Sequence, residues 1–105
     1  MKTFFMLSAM LGLFLGTINV SAALASPEHP IVKEIVGYML NKPQNMKEKI
    51  ADAIDRYRVE NGLPSYEARN KGIAKYLSQH AVIATPAGVS KRAYFTNTVI
   101  AYLRN

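Results

Sequence analysis

Apolar residues recur at every third or fourth position in four separate stretches of the chain, a spacing that predicts four amphipathic helices. In the first, Ile31, Val32, Ile35, Val36, Met39 and Leu40 make one wide stripe. Ser26-Pro27-Glu28-His29-Pro30 is its starter, with Ser26 as the expected cap, prolines tolerated in a first turn and Glu28 facing the helix dipole. Lys42-Pro43 stops it. In the second, Met46, Ile50, Ala53, Ile54 and Tyr57 form the inner face, and Glu48, Lys49, Asp52, Asp55, Arg56 and Glu60 take the wet side. Asn45 and Glu48 stand three apart, the spacing of a capping box. Asn61-Gly62-Leu63-Pro64 is a strong terminator: glycine for a left-handed position, leucine to fold back, proline to forbid continuation.

Ser65 is the expected cap of the third helix, with Glu67 in its first turn and Ile73, Tyr76, Leu77, His80 and Ala81 sharing a face. Gly72 weakens that helix by ~1 kcal/mol relative to alanine. Val82-Ile83 and then Pro86 end it. The fourth starts at Ser90, or at Thr85 with Pro86 in the first turn, and carries Phe95, Val99, Tyr102 and Leu103 toward Asn105. Short connections make consecutive helices neighbours, roughly antiparallel. Strand-like alternation, internal repeats and low-complexity tracts are all absent from the sequence. The expected fold class is all-α, a small bundle of four short helices, orthogonal or up-and-down.

Ahead of these helices the pattern differs. Lys2 is the one charge before Glu28, and Phe4 to Ile18 is apolar except for Ser8, Gly12, Gly16 and Thr17. Ser21 to Ala25 offers small residues in an A-x-A arrangement, Ala23-Leu24-Ala25. This positive, apolar, small-residue order is that of a secretory signal peptide. The expected organisation is therefore a leader over residues 1–25, cleaved after Ala25, and a single helical domain over residues 26–105. Ser21-Ala22-Ala23 offers an alternative cut after Ala23. A retained N-terminal membrane anchor is the competing reading, because an apolar run of roughly 15–20 residues reaches the lower limit for a span. Either way the domain is expected outside the cytoplasm, periplasmic or secreted.

The expected mature part holds twelve Lys and Arg against seven Asp and Glu, a net charge of +5. In an exported domain this charge points to an acidic envelope protein or an anionic envelope polymer as partner ahead of nucleic acid, with membrane contact as a second reading. The chain has no cysteine, so disulfides, thiolate metal sites and lipoprotein anchoring are excluded. Stability must come from helix packing, from a partner, or from both.

Candidate catalytic groups do not converge. Glu48, Asp52, Asp55 and Glu60 are interleaved with Lys47, Lys49, Arg56 and Arg58, which reads as a solvated face and not as the buried carboxyl pair of a glycosidase. His29 and His80 lack any metal-ligand spacing, and Ser65, Ser78 and Ser90 lack a nucleophile context. Ala84-Thr85-Pro86-Ala87-Gly88-Val89, after the Gly62-Leu63-Pro64 turn and a helix, resembles the serine-proline-alanine-glycine stretch of lysozyme-like lytic transglycosylases. That family places its catalytic glutamate at the end of the preceding helix. Here Lys75 to Ala84 contains no acid, so the resemblance does not imply the activity. The expected role is non-catalytic, with no cofactor and no metal; an envelope hydrolase is the disfavoured alternative.

Basic residues sit repeatedly beside tyrosines, in Arg56-Tyr57-Arg58, Lys75-Tyr76, Lys91-Arg92-Ala93-Tyr94 and Tyr102-Leu103-Arg104. Tyrosine and arginine supply much contact area at low entropic cost. Lys91 and Arg92 also oppose the dipole of the fourth helix if it starts at Ser90, a locally unfavourable choice of the kind that marks function. Lys91, Arg92, Tyr94, Arg56 and Arg58 are the expected partner-binding residues. The expected function is a small exported helical protein that binds or modulates another envelope component, most concretely as an inhibitor of a cell-wall enzyme or lysis factor.

Overall fold

The computed structural model describes residues 25–104. Residues 1–24 of the expected leader, and with them the signal-peptide reading, lie outside the described residues, as does Asn105. Among the described residues the fold is all-α, as the periodicity predicts, with four helices: α1 (Pro30–Asn41), α2 (Met46–Glu60), α3 (Glu67–His80) and α4 (Lys91–Arg104).

Pro30 opens α1 with its fixed φ and no orphaned N–H. The cap is His29, whose Nδ1 accepts the Ile31 N–H at 3.1 Å, and not Ser26. The Ser26 carbonyl instead accepts the His29 N–H at 3.0 Å, closing the turn before the helix. That turn leaves Glu28 outside the first turn of α1, so it is not the dipole partner expected of it. Lys42 ends the helix in the left-handed region (φ 51°), its N–H bonded to the Tyr38 carbonyl at 2.8 Å.

The capping box expected at Asn45 does not form. Asn45 lies at φ 60° and its side chain makes no capping bond. Asparagine serves here because it tolerates the left-handed backbone. The far end of α2 follows its sequence closely. Gly62 adopts φ 67°, the Leu63 N–H reaches the Arg58 carbonyl at 2.8 Å, and the Gly62 N–H reaches the Val59 carbonyl at 3.1 Å. These two bonds make a Schellman motif.

Ser65 does not cap α3 either; Tyr66 holds the cap position without a side-chain bond. The Ser65 hydroxyl donates to Asp55 Oδ1 at 2.5 Å and accepts from Asn70 Nδ2 at 2.8 Å, tying the α2–α3 link to both helices. The buried stripe of α3 is Asn70, Ala74 and Leu77, continued by Ala81, which is rotated from the expected face. Tyr76 is 42% exposed and His80 half-buried at the edge of that stripe. Ser90 does cap α4, accepting the Ala93 N–H at 3.1 Å, so the helix starts at Lys91 and not at Thr85.

Helices α1 and α2 share the centre of the core, each packed on two others. Ile31, Val32, Ile35, Val36 and Met39 are buried against Ile50, Ile54 and Tyr57 of α2 and Phe95, Val99 and Leu103 of α4. The closely packed pairs are α2 with α3, α1 with α4 and α1 with α2; the backbones of α3 and α4 stand further apart and meet through side-chain rings. Consecutive helices are thus close neighbours except at the last step. Ten residues, 81–90, separate α3 from α4, enough to release α4 from its predecessor and let its narrow stripe seat on α1.

Candidate functional site

The structure divides the expected binding residues into separate surroundings. Arg58 is 9% exposed, and its Nε donates to the Pro64 carbonyl beneath the Schellman turn. It holds the α2–α3 link and is not presented to a partner, because a buried guanidinium persists only where its donors are used within the fold. Tyr57 beside it is fully buried.

Arg56 is engaged across the α1–α2 interface. Its Nη2 and Nη1 meet the two carboxylate oxygens of Glu34 at 2.5 and 3.1 Å, and its Nε meets Asp52 Oδ2 at 3.0 Å. Tyr38 donates its hydroxyl to Glu34 at 2.7 Å. The hydrogen bonds from Arg56 hold the Glu34 carboxyl below its ordinary pKa, and the bond to Glu34 pushes the Tyr38 phenol up. A fork of this geometry fixes the angle between two helices. Arg56 therefore belongs to the scaffold, away from Lys91 and Arg92.

Lys91 and Arg92 are exposed in the first turn of α4, which contains no acid. The dipole anomaly read from the sequence is thus present in the fold. Arg92 lines a cleft of about 590 Å³ between α1 and the start of α4, together with Lys33, Ser90, Thr96 and Asn97 over a floor of Val36 and Ala93. Pro27 closes one side and no carboxylate lines the cleft. Two cations, the partial positive charge of a helix N-terminus and neutral polar groups give this cleft an anion-attracting field. Lys33 was missed in the sequence, where it is one more lysine on a wet face. Only the docking of α4 on α1 brings it into the same cleft as Arg92.

Tyr94 is half-buried and points to different company. Its ring lies 4.9 Å from His80 and 6.2 Å from Phe95. Tyr76 stacks on His80 at 5.6 Å and tilts onto Tyr102 at 4.7 Å, whose phenol it pushes up through a hydrogen bond. Thr98 Oγ1 stands 3.5 Å from His80 Nε2. These rings bridge the slight gap between α3 and α4, so His80 and three of the tyrosines act as interhelical packing. His29 caps α1 and meets the Tyr57 ring edge-on at 5.3 Å.

A second cleft, of about 650 Å³ between α2 and α3, carries Glu48, Asp52, Asp55 and Glu67 against Lys47, Lys71 and Lys75. Asp52 is paired with Arg56, and Glu67 with Lys71 at 3.0 Å. The mixed charges make it a solvated groove without a sign preference. Among the described residues no three His, Asp or Glu side chains converge as a metal site, and no helix is long and apolar enough to cross a membrane. The chain matches no protein-family model, no curated protein and no solved structure.

Proposed function

We propose that this chain is a small exported helical protein that acts without catalysis, by binding an anionic component of the cell envelope through the cleft between α1 and the start of α4. The single observation that carries the reading is the carboxylate-free cleft lined by both Lys33 and Arg92, with Lys91 next to Arg92 in the acid-free first turn of α4. Its most concrete form is an inhibitor or modulator of a cell-wall enzyme or lysis factor, engaged through an acidic protein face. Exported small domains meet such surfaces first, and complementary charge speeds and orients the encounter.

The test is binding to separated envelope proteins and to purified anionic wall polymer, compared between the wild type and Lys91→Glu/Arg92→Glu. Specific binding that falls at least tenfold in the double variant, and likewise in Lys33→Glu, is expected. Equal binding by all three proteins contradicts the reading.

Val82, Ile83 and Val89 are 70%, 53% and 43% exposed in the segment that leads into Lys91 and Arg92. Apolar side chains beside cations suit the headgroup layer of an anionic membrane. Co-sedimentation with anionic vesicles that drops steeply with salt, and with Val82→Ser/Ile83→Ser, supports this alternative; no sedimentation at low salt removes it.

A further inference from the structure

Asn61–Gly62 is the one Asn-Gly pair in the sequence, and it forms the end of α2. Such a pair carries a reaction of its own. The glycine nitrogen, with no side chain beside it, can attack the asparagine Cγ. A C–N bond forms, the Cγ–Nδ2 bond breaks and ammonia leaves, giving a cyclic imide. Water then opens the imide at either carbonyl, to aspartate or to isoaspartate. One water is taken up, one ammonia is released, and no other reagent is needed.

The fold keeps the two reacting groups apart. Asn61 Nδ2 donates to the Tyr57 carbonyl at 2.7 Å, which holds the electrophilic amide against the last turn of the helix. The Gly62 N–H donates to the Val59 carbonyl at 3.1 Å, and this proton must be lost before the nitrogen can attack. Asn61 has ψ 10°, which turns the Gly62 nitrogen away from Cβ, whereas ring closure requires that nitrogen on the Cβ side. The rotation needed passes into backbone conformations that sterics disfavour for an L-residue. It also pulls on the bond from the Leu63 N–H to the Arg58 carbonyl, at 2.8 Å. Attack is therefore open only to a chain whose Schellman turn has come apart.

Neither product suits the turn it came from. Both replace the amide donor with a carboxylate beside the Tyr57 carbonyl, and both add a negative charge at the carbonyl end of the helix dipole, next to Glu60. Isoaspartate also lengthens the backbone by one carbon just before Gly62, whose φ of 67° the turn requires. Arg58, donating to the Pro64 carbonyl across the same turn, ties α2 to the link that follows it.

We propose that Asn61–Gly62 is a latent self-modification site. The closed end of α2 keeps it inert, and opening of the turn exposes it to a one-way conversion, by water alone, that loosens the α2–α3 link.

The purified protein is incubated at mildly alkaline pH, folded in buffer and unfolded in concentrated urea, and the peptide containing Asn61 is followed by mass and by isoaspartate content. Conversion at least tenfold slower in the folded protein is expected; equal rates overturn the proposal. Hydrogen exchange at the Gly62 amide of the folded wild type reads the turn directly. Protection is expected, and exchange at the unfolded rate alongside slow conversion overturns the role of the turn. Leu63→Ala trims the side chain that packs the turn on the core. It should speed conversion in buffer several-fold and leave the rate in urea unchanged; an unchanged rate in buffer counts against the coupling. Asn61→Asp should melt below the wild type, and melting at or above it overturns the claim that conversion loosens the fold.

Discussion

Arg56 and Arg92 are both arginines on helix surfaces, yet their surroundings differ: one is paired with acids, the other lines a cleft without carboxylates. Arg56 has its fork filled by Glu34 and its Nε by Asp52, so its removal is felt in the fold. Glu34, whose carboxyl pKa is lowered by that fork, carries a pH signature. The unfolded chain binds the Glu34 proton at higher pH than the folded one, so the contribution of the pair is complete above the ordinary carboxylate range. It fades as pH falls through the lowered value. Thermal scans at falling pH should show Glu34→Gln less stable than the wild type near neutrality, with the gap closing on acidification; a constant gap would discount the pair. Arg92 and Lys91 behave in reverse. Replacing both with glutamate places acids at a helix N-terminus, which stabilises by roughly 0.3–1 kcal/mol each. The double variant should melt at or above the wild-type temperature while losing the partner. That combination, stability gained while binding is lost, would mark the pair as a functional surface.

At the scale of the element, the helix ends separate what local sequence determines from what it does not. Ser90 and the Gly62-Leu63 turn were legible because each acts on backbone groups within a few residues. Ser90→Ala should cost about 1 kcal/mol by chemical denaturation. Ser26, Asn45 and Ser65 have the same chemistry in sequence and make no side-chain capping bond in the fold. Ser65 is claimed by Asp55, ten residues back, and by Asn70, and Asn45 by a left-handed backbone. Neither demand has a local signature. Two positions remain open to improvement. Lys42 holds a left-handed conformation that suits glycine, and Gly72 occupies an exposed helix interior where an added methyl meets nothing within 4 Å. Lys42→Gly and Gly72→Ala should each raise stability by about 0.5–1 kcal/mol; a loss in either would show that its backbone position carries a contact the helix geometry does not explain.

For the whole molecule, the four-helix architecture followed from period and punctuation alone, because every stripe had to be buried and only helices offered that spacing. The pairing did not follow. That α4 leaves α3 for α1 is a tertiary outcome, and it carries the candidate site with it. Lys91 and Arg92 could be singled out from their conflict with the helix dipole, whereas Lys33 joins them only through that docking. Arg58 illustrates the opposite failure: beside a tyrosine it reads as a binding cation, but the turn at Gly62 folds the chain back over it. The contacts of buried Ala25 are another such outcome: its N–H donates to the Tyr57 hydroxyl and its carbonyl accepts from Arg104. Tyr57→Phe should lower stability by about 1–2 kcal/mol, since it leaves the Ala25 N–H buried without an acceptor.

If an anionic envelope component seats between α1 and the start of α4, photo-crosslinking in intact cells captures it there. A crosslinking residue at Asn97, in the cleft wall, is compared with one at Glu60, exposed at the far end of α2. A discrete adduct with an acidic envelope protein or anionic polymer is expected from position 97 alone, abolished by Lys91→Glu/Arg92→Glu. Identical adducts from both positions, or an adduct at position 97 that survives the charge reversal, would contradict it.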